Sequence, residues 1–177
     1  ISKRNFCPYR VIGITHPGLR RMFELSLNVG NPLHFEFGEP SWAFKPPAHV
    51  LEAAAKAVHE DYNSPHMGLL ELREAVAEKL ERDNAVEADP NSEIVVTVGS
   101  EAAIYCTLEA VLDEGDEVLI PEPSYYPVYE AIVNLMGGVV KPVPLDKENG
   151  FKLDVEAIER SATSRTKAVV ILSLIHI

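Results

Sequence analysis

The chain holds 177 residues, with 16 basic side chains against 27 acidic ones and a formal net charge of −11 at pH 7. Such a balance argues against a nucleic-acid-binding face, which is normally basic. Hydrophobic residues at 46% and charged residues at 24% describe an ordinary globular chain able to bury a core, and at about 150 residues per domain the length suggests one domain, or one domain and a piece of another.

The longest uninterrupted apolar run near the C-terminus, residues 168–172, is far shorter than the roughly 20 residues needed to span a bilayer. There is no basic segment followed by an apolar one at the start, and Cys7 and Cys106 are too few and too far apart for a disulfide framework or a metal knuckle. The expectation is a cytoplasmic protein without membrane or nucleic-acid partners. The sequence opens on Ile1 rather than Met, so the N-terminus reads as incomplete.

Residues 1–45 carry scattered aromatics, glycines and prolines with little periodicity, and read as an extended arm with one short helix near residues 20–27. Pro46 and Pro47 then precede an alanine-rich helix over residues 48–59, proline being suited to a first helical turn. Leu72, Val76 and Leu80 recur at four-residue spacing among charged neighbours, which predicts an amphipathic helix broken by Asp89 and Pro90. The β-branched run 94–98 is of strand length and ends at Gly99.

A pattern then repeats. Residues 100–112 predict a helix with Ile104, Leu108, Val111 and Leu112 on one stripe, residues 118–120 a short strand, and residues 127–136 a helix closed by Gly137 and Gly138. Residues 139–145 predict a strand whose Pro142 and Pro144 suit a sheet edge. Asp154 is placed to cap a helix through Arg160, with Leu153 and Ile158 as its hydrophobic staple, and residues 168–172 form the last strand. Strands alternating with helices imply an α/β fold, a parallel sheet covered by helices on both faces and preceded by the N-terminal arm.

Two junctions attract attention. At Gly99, Ser100 and Glu101 a strand would run into a helix N-terminus, where unpaired amides and the helix dipole favour an anion and a glycine lets the backbone come close to it. Neither a dinucleotide nor a nucleoside-triphosphate fingerprint is present, and Ser100 is equally readable as a plain helix cap. The next junction reads Pro121, Glu122, Pro123, Ser124, Tyr125, Tyr126, Pro127, Val128, Tyr129, at the carboxyl end of a strand, where parallel sheets bind ligands. A tyrosine there can lie flat on a heteroaromatic ring or fill the seam between helix and sheet. His49, His59 and His66 lack the spacing of a metal site. Glu36 and Glu39 are a possible acid/base pair at no defined separation, and Arg20 and Arg21 read as surface charges.

From about residue 18 to residue 172 the sequence resembles the class I/II aminotransferases, the fold-type I enzymes that use pyridoxal phosphate. The resemblance is carried by Gly18-Leu19-Arg20-Arg21-Met22-Phe23, by Phe37-Gly38-Glu39-Pro40, and by Tyr62 with Gly68 and Leu72-Arg73-Glu74-Ala75. Val96-Thr97-Val98-Gly99-Ser100-Glu101-Ala102-Ala103, and Gly115-Asp116-Glu117-Val118 leading into the tyrosine loop, complete it.

The resemblance implies roles residue by residue. Gly99, Ser100 and Glu101 match the turn that holds the cofactor phosphate, and Tyr126 or Tyr125 the aromatic that stacks on the pyridine ring. Spacing to Tyr129 selects Tyr126, counting from Pro123 selects Tyr125, and Tyr126 is preferred. Tyr62 matches a tyrosine that reaches the phosphate of the other subunit of a homodimer, and Gly38 the glycine whose main chain meets the substrate carboxylate.

The reaction implied is transfer of an amino group between an amino acid and a 2-oxo acid. Residues 1–45 would then be the arm with part of the small domain, and residues 46–173 a partial pyridoxal-phosphate-binding large domain with an incomplete, mainly parallel sheet. Residues 174–177 are expected to be a non-native tail, because the run ending at Ser173 should lead into Asn-Pro and instead reads Leu174-Ile175-His176-Ile177.

In the family the Schiff-base lysine, the carboxylate that protonates the pyridine nitrogen and the carboxylate-clamping arginine follow the last strand. Lys141, Lys147, Lys152 and Lys167 do not match the catalytic position, so no catalytic residue is assigned and the 177-residue chain is expected to be inactive alone. In the family the strand matching residues 94–98 also lies across the sheet from the others, so here it is expected to lack neighbours and the isolated chain to fold poorly. A carbon–sulfur lyase of the same fold, or an aminotransferase-like ligand-binding domain of a regulator, would share these residues.

Overall fold

The computed structural model describes residues 11, 18–34, 44–60, 63–123, 126 and 128–172. It divides into two units, Glu39–Ala103 and a second built from Ile1–Gly38 with Ile104–Ile177. Among the described residues no helix is long and apolar enough to cross a membrane.

The second unit contains α1 (Gly18–Ser26) near the expected short helix, and a three-stranded parallel sheet. Its central strand is β1 (Glu117–Glu122), flanked by β2 (Val139–Pro144) and β3 (Thr166–Val169) in the order β2-β1-β3. Val118 pairs with Val140 on one side and with Ala168 on the other, which places the proline-containing β2 at an edge as its composition predicts.

β1 runs further than the apolar triplet 118–120 suggests, through Pro121, a residue that normally ends a central strand. Its missing N–H does no harm at this point, because the pairing with β3 extends only to Leu119 while β2 continues alongside as far as Glu122. β3 starts at Thr166, two residues ahead of the expected apolar run, and ends at Val169.

Successive connections step to opposite sides of β1, so two right-handed crossovers must lie on opposite faces. The observed packing agrees. Val118 and Ile120 face a cluster with Leu108 of α4 (Gly99–Val111), Leu112 just beyond that helix, and Tyr129, Ile132 and Val133 of α5 (Val128–Leu135). Leu119, on the other side of the pleat, is equally buried, and there the Lys141 ammonium reaches the Ser161 carbonyl of α6 (Val155–Ser161) at 3.0 Å. Asp154 caps α6 as expected, its carboxylate accepting from the Ala157 amide at 3.0 Å. Gly137, with φ +77°, closes α5.

At the start of β1 the Glu117 carboxylate is buried to 4% side-chain exposure and gathers partners from both neighbouring strands. Thr163 Oγ1 donates to Oε2 at 2.6 Å, Arg165 Nη2 and Nε donate to Oε1 at 2.9 and 3.3 Å, and Lys141 Nζ lies 3.4 Å from Oε2. The Thr163 hydroxyl first, then Arg165, then Lys141 hold its pKa down from an ordinary 4.5 to about 2 against the opposing effect of burial.

A carboxylate whose folded pKa lies below its unfolded one contributes stability that is complete above the unfolded value and disappears as pH falls through the folded one. Wild-type stability should therefore decline between about pH 4.5 and about pH 2 more steeply than that of Glu117→Gln. The full-length variant should be less stable at neutral pH, and urea midpoints across that range check both points. Parallel slopes for the two proteins would refute the assignment.

The unit Glu39–Ala103 holds α2 (Ala48–Ala57), entered from Pro47, and α3 (Leu70–Asn84). α3 stops before Asp89 and Pro90, because Ala85 turns left-handed at φ 54° and returns its amide to the Glu81 carbonyl at 3.1 Å. Asp89 instead organises the following turn, accepting from the Asn91 amide and the Ser92 hydroxyl.

Residues 94–98, expected as a strand, form no ladder with a described strand. Ile94 is buried, whereas Val95 is 59% and Val98 95% exposed. β-Branched side chains favour a strand only where a neighbouring strand and a packed face receive them, and the described residues supply neither.

Candidate functional site

The turn ahead of α4 is built by its own backbone. Thr97 Oγ1 donates to the Gly99 carbonyl at 2.9 Å, and the Gly99 amide donates to the Thr97 carbonyl at the same distance. This hairpin-like closure forces Gly99 to φ +76°, a conformation that a side chain would resist. Because that angle is not helical, Gly99 occupies the capping position and Ser100 enters the first turn, so the reading of Ser100 as the plain cap does not hold.

Gly99, Ser100 and Glu101 are brought together at one exposed helix N-terminus. Among the described residues, none beyond its own chain neighbours and helix backbone comes within 4 Å of where a Gly99 Cβ would project, leaving open space before the amides of the first turn. The donor set, backbone N–H groups with a serine hydroxyl at the positive end of a helix, suits a phosphate monoester.

Tyr126 lies in the other unit, beyond the carboxyl end of β1. It is half-buried, packs on the cluster around Val118 and Ile120, and meets Tyr129 edge to face with ring centroids 5.7 Å apart. Tyr129 itself is 5% exposed, and burial raises its pKa, so it remains a neutral phenol of the core. Thus the seam-filling alternative describes Tyr129 fully and part of Tyr126. Gly38, Tyr62 and Tyr125 lie outside the described residues, as do Glu36 and Glu39.

No cluster of His, Cys, Asp and Glu able to hold a metal ion occurs among the described residues. Cys106 is a free, exposed thiol on α4. Lys141, in contact with Glu117 and Ser161, is engaged in holding the sheet. Residue-by-residue reading missed Arg73, which is 8% exposed on an amphipathic helix rich in charge. Its position within Leu72-Arg73-Glu74-Ala75 was visible, but charge on a helix ordinarily signals solvent, and nothing local announces burial.

The profile of the family described as aminotransferase class I and II matches residues 25–175. The chain belongs to that family. The aminotransferase family is in general dependent on pyridoxal phosphate. The aspartate aminotransferase of Pyrococcus abyssi is 40% identical over 157 residues, covering 88% of this chain and 40% of the relative. A probable aspartate/prephenate aminotransferase of Aquifex aeolicus is 45% identical over 152 residues, 85% of this chain and 38% of the relative.

Among solved structures, the Thermus thermophilus aspartate aminotransferase with maleate superposes at a TM-score of 0.83 and 35% identity, over 94% of this chain and 44% of that one. The α/β architecture is thus that of the fold-type I aminotransferases, with a partial parallel sheet. The chain spans about two-fifths of the length of the curated aminotransferases it matches.

Proposed function

We propose that the protein to which this chain belongs is a pyridoxal-phosphate-dependent aminotransferase, moving an amino group between an amino acid and a 2-oxo acid as a cytoplasmic homodimer. The observation that carries the reading is the open, glycine-capped N-terminus of α4, within a stretch 40% identical to an aspartate aminotransferase. In this reading the first-turn amides of Ser100 and Glu101 and the Ser100 hydroxyl hold the phosphate, with Gly99 letting the backbone come close to it. Tyr126, or Tyr125 beside it, lies against the pyridine ring. Tyr62 reaches the phosphate in the partner subunit, and the Gly38 main chain receives the substrate carboxylate.

When bound, the cofactor supplies an electron sink for the pair released as the substrate's α-C–H bond breaks. The chain's contribution is to anchor and orient. A dianionic phosphate on fixed amides pins one end of the coenzyme, and an aromatic face limits its tilt. Residues 46–173 form the cofactor domain in this reading and residues 1–45 an arm with part of the small domain. Aspartate and prephenate, named for the relatives, set the first substrates to try.

Titrating the full-length protein with pyridoxal phosphate should shift the cofactor absorbance band. Amino acid added alone should then release a stoichiometric burst of 2-oxo acid. Continuous release without an acceptor would instead indicate a lyase, and binding without release a ligand sensor. No band shift at all would remove the enzyme reading.

A further inference from the structure

We propose that Arg73 is a positioning residue for the phosphate turn: its guanidinium locks the two loops flanking α3, and through them sets the segment that presents Gly99. The inference rests on the reading of Gly99, Ser100 and Glu101 as the phosphate-binding turn.

Arg73 is buried within α3, and burying a guanidinium is unfavourable unless its donors are met. They are met by main chain from both directions. Nε donates to the Gly68 carbonyl at 3.2 Å, two residues ahead of the helix, and Nη1 donates to the Pro90 carbonyl beyond it. A planar fork fixes the angle between two such acceptors, which an apolar residue of similar volume would not.

Both gripped loops lead to the turn. Next to Gly68, the Met67 carbonyl accepts from the Val96 amide at 3.0 Å, and Val96 stands directly before Thr97, whose carbonyl and hydroxyl shape Gly99. Gly68 has φ +94°, and a Cβ there would fall 2.6 Å from Val96 Cβ and Cγ2, so turn and segment touch backbone to side chain with no slack. Pro90 leads into the Asp89-organised turn, from which the chain passes through buried Ile94 to the same segment.

Val95 and Val98 are exposed and no described strand pairs with residues 94–98. Within this unit the segment is held at Val96 by Met67 and Gly68 and at Ile94 by burial, with Arg73 gripping the loops around them. A lysine at position 73 keeps the charge but cannot place two donors in one plane on both carbonyls.

The test uses the full-length apoprotein and compares pyridoxal 5′-phosphate with pyridoxal, which lacks the phosphate. In Arg73→Lys the Kd for the phosphorylated form should rise about tenfold and that for pyridoxal change by less than about twofold, the penalty for slightly misplacing one binding group. The thermal midpoint of the apoprotein should stay close to wild type. Gly68→Ala, which leaves Arg73 intact but drives the turn against Val96, should give the same phosphate-selective loss and decides the matter should Arg73→Lys fail to fold. Equal weakening of both ligands, or of neither, would overturn the positioning role. A wild-type protein that binds the two ligands equally would instead defeat the phosphate reading itself, and the role of Arg73 with it.

Discussion

Gly99→Val in the full-length protein should weaken pyridoxal phosphate binding about 5- to 30-fold, the factor that corresponds to the roughly 1–2 kcal/mol required to hold a non-glycine residue in the left-handed region. The φ of +76° at Gly99 is imposed by reciprocal bonds with Thr97, so the backbone has two poor choices. It keeps the turn and bears the strain, or relaxes and swings the first amides of α4 away from the open space in front of them. A β-branched side chain makes the first choice worse than alanine would.

Gly115→Val is the matched control. Gly115 sits at φ +85° between α4 and β1, again with open space around its Cβ position, so it loses stability by the same mechanism without touching the turn. Equilibrium titration should show lost affinity for the first variant and near wild-type affinity for the second. Equal affinities in both would show that the amides ahead of α4 do not hold the cofactor.

The second large effect concerns the core. Ile120→Ala should destabilise the full-length protein by about 2–5 kcal/mol, visible as a lower urea midpoint at an unchanged slope. Ile120 is 1% exposed at the centre of β1, facing Leu108 of α4, Leu112 just past its end, and Tyr129, Ile132 and Val133 of α5. β2 pairs with Ile120 at Pro142 and two helices cover its face, so the surroundings cannot readily collapse into the space left behind. A change below about 1 kcal/mol would mean that the packed cluster around Ile120 is not the support described.

The stripe Ile104, Leu108, Leu112 and the apolar triplet of β1 were legible because periodicity reports directly on which side of an element is covered. The edge position of β2 was legible for a similar reason, since Pro142 and Pro144 forgo amides that a central strand must donate. Residues 94–98 form no strand and have no partner among the described strands, in line with the expectation that the run would lack neighbours here, because membership of a sheet is a property of partners. Composition announces a tendency, and the tendency goes unused when no neighbour arrives.

The apolar triplet 118–120 understated β1, which runs from Glu117 to Glu122, because polar and proline positions at strand ends carry no periodic signal. Gly99 drew notice because a glycine between a β-branched run and a helix lets the backbone come close to a ligand, and its φ of +76° is one that a side chain would resist. The two buried charges were hidden. Glu117 and Arg73 look like solvated residues until the chain closes over them, because their partners come from distant residues such as Thr163 and Arg165, or from main-chain carbonyls that carry no residue identity.

The carboxylate of Glu117 sits where β1 begins, and its ligands come from β2, from the approach to β3 and from β3 itself. All three strands are thereby stapled at one rim, while the tyrosine-bearing loop leaves from the opposite rim. The rim at Glu117 holds the three strands in register, and damage there should be readable as lost cohesion of the sheet.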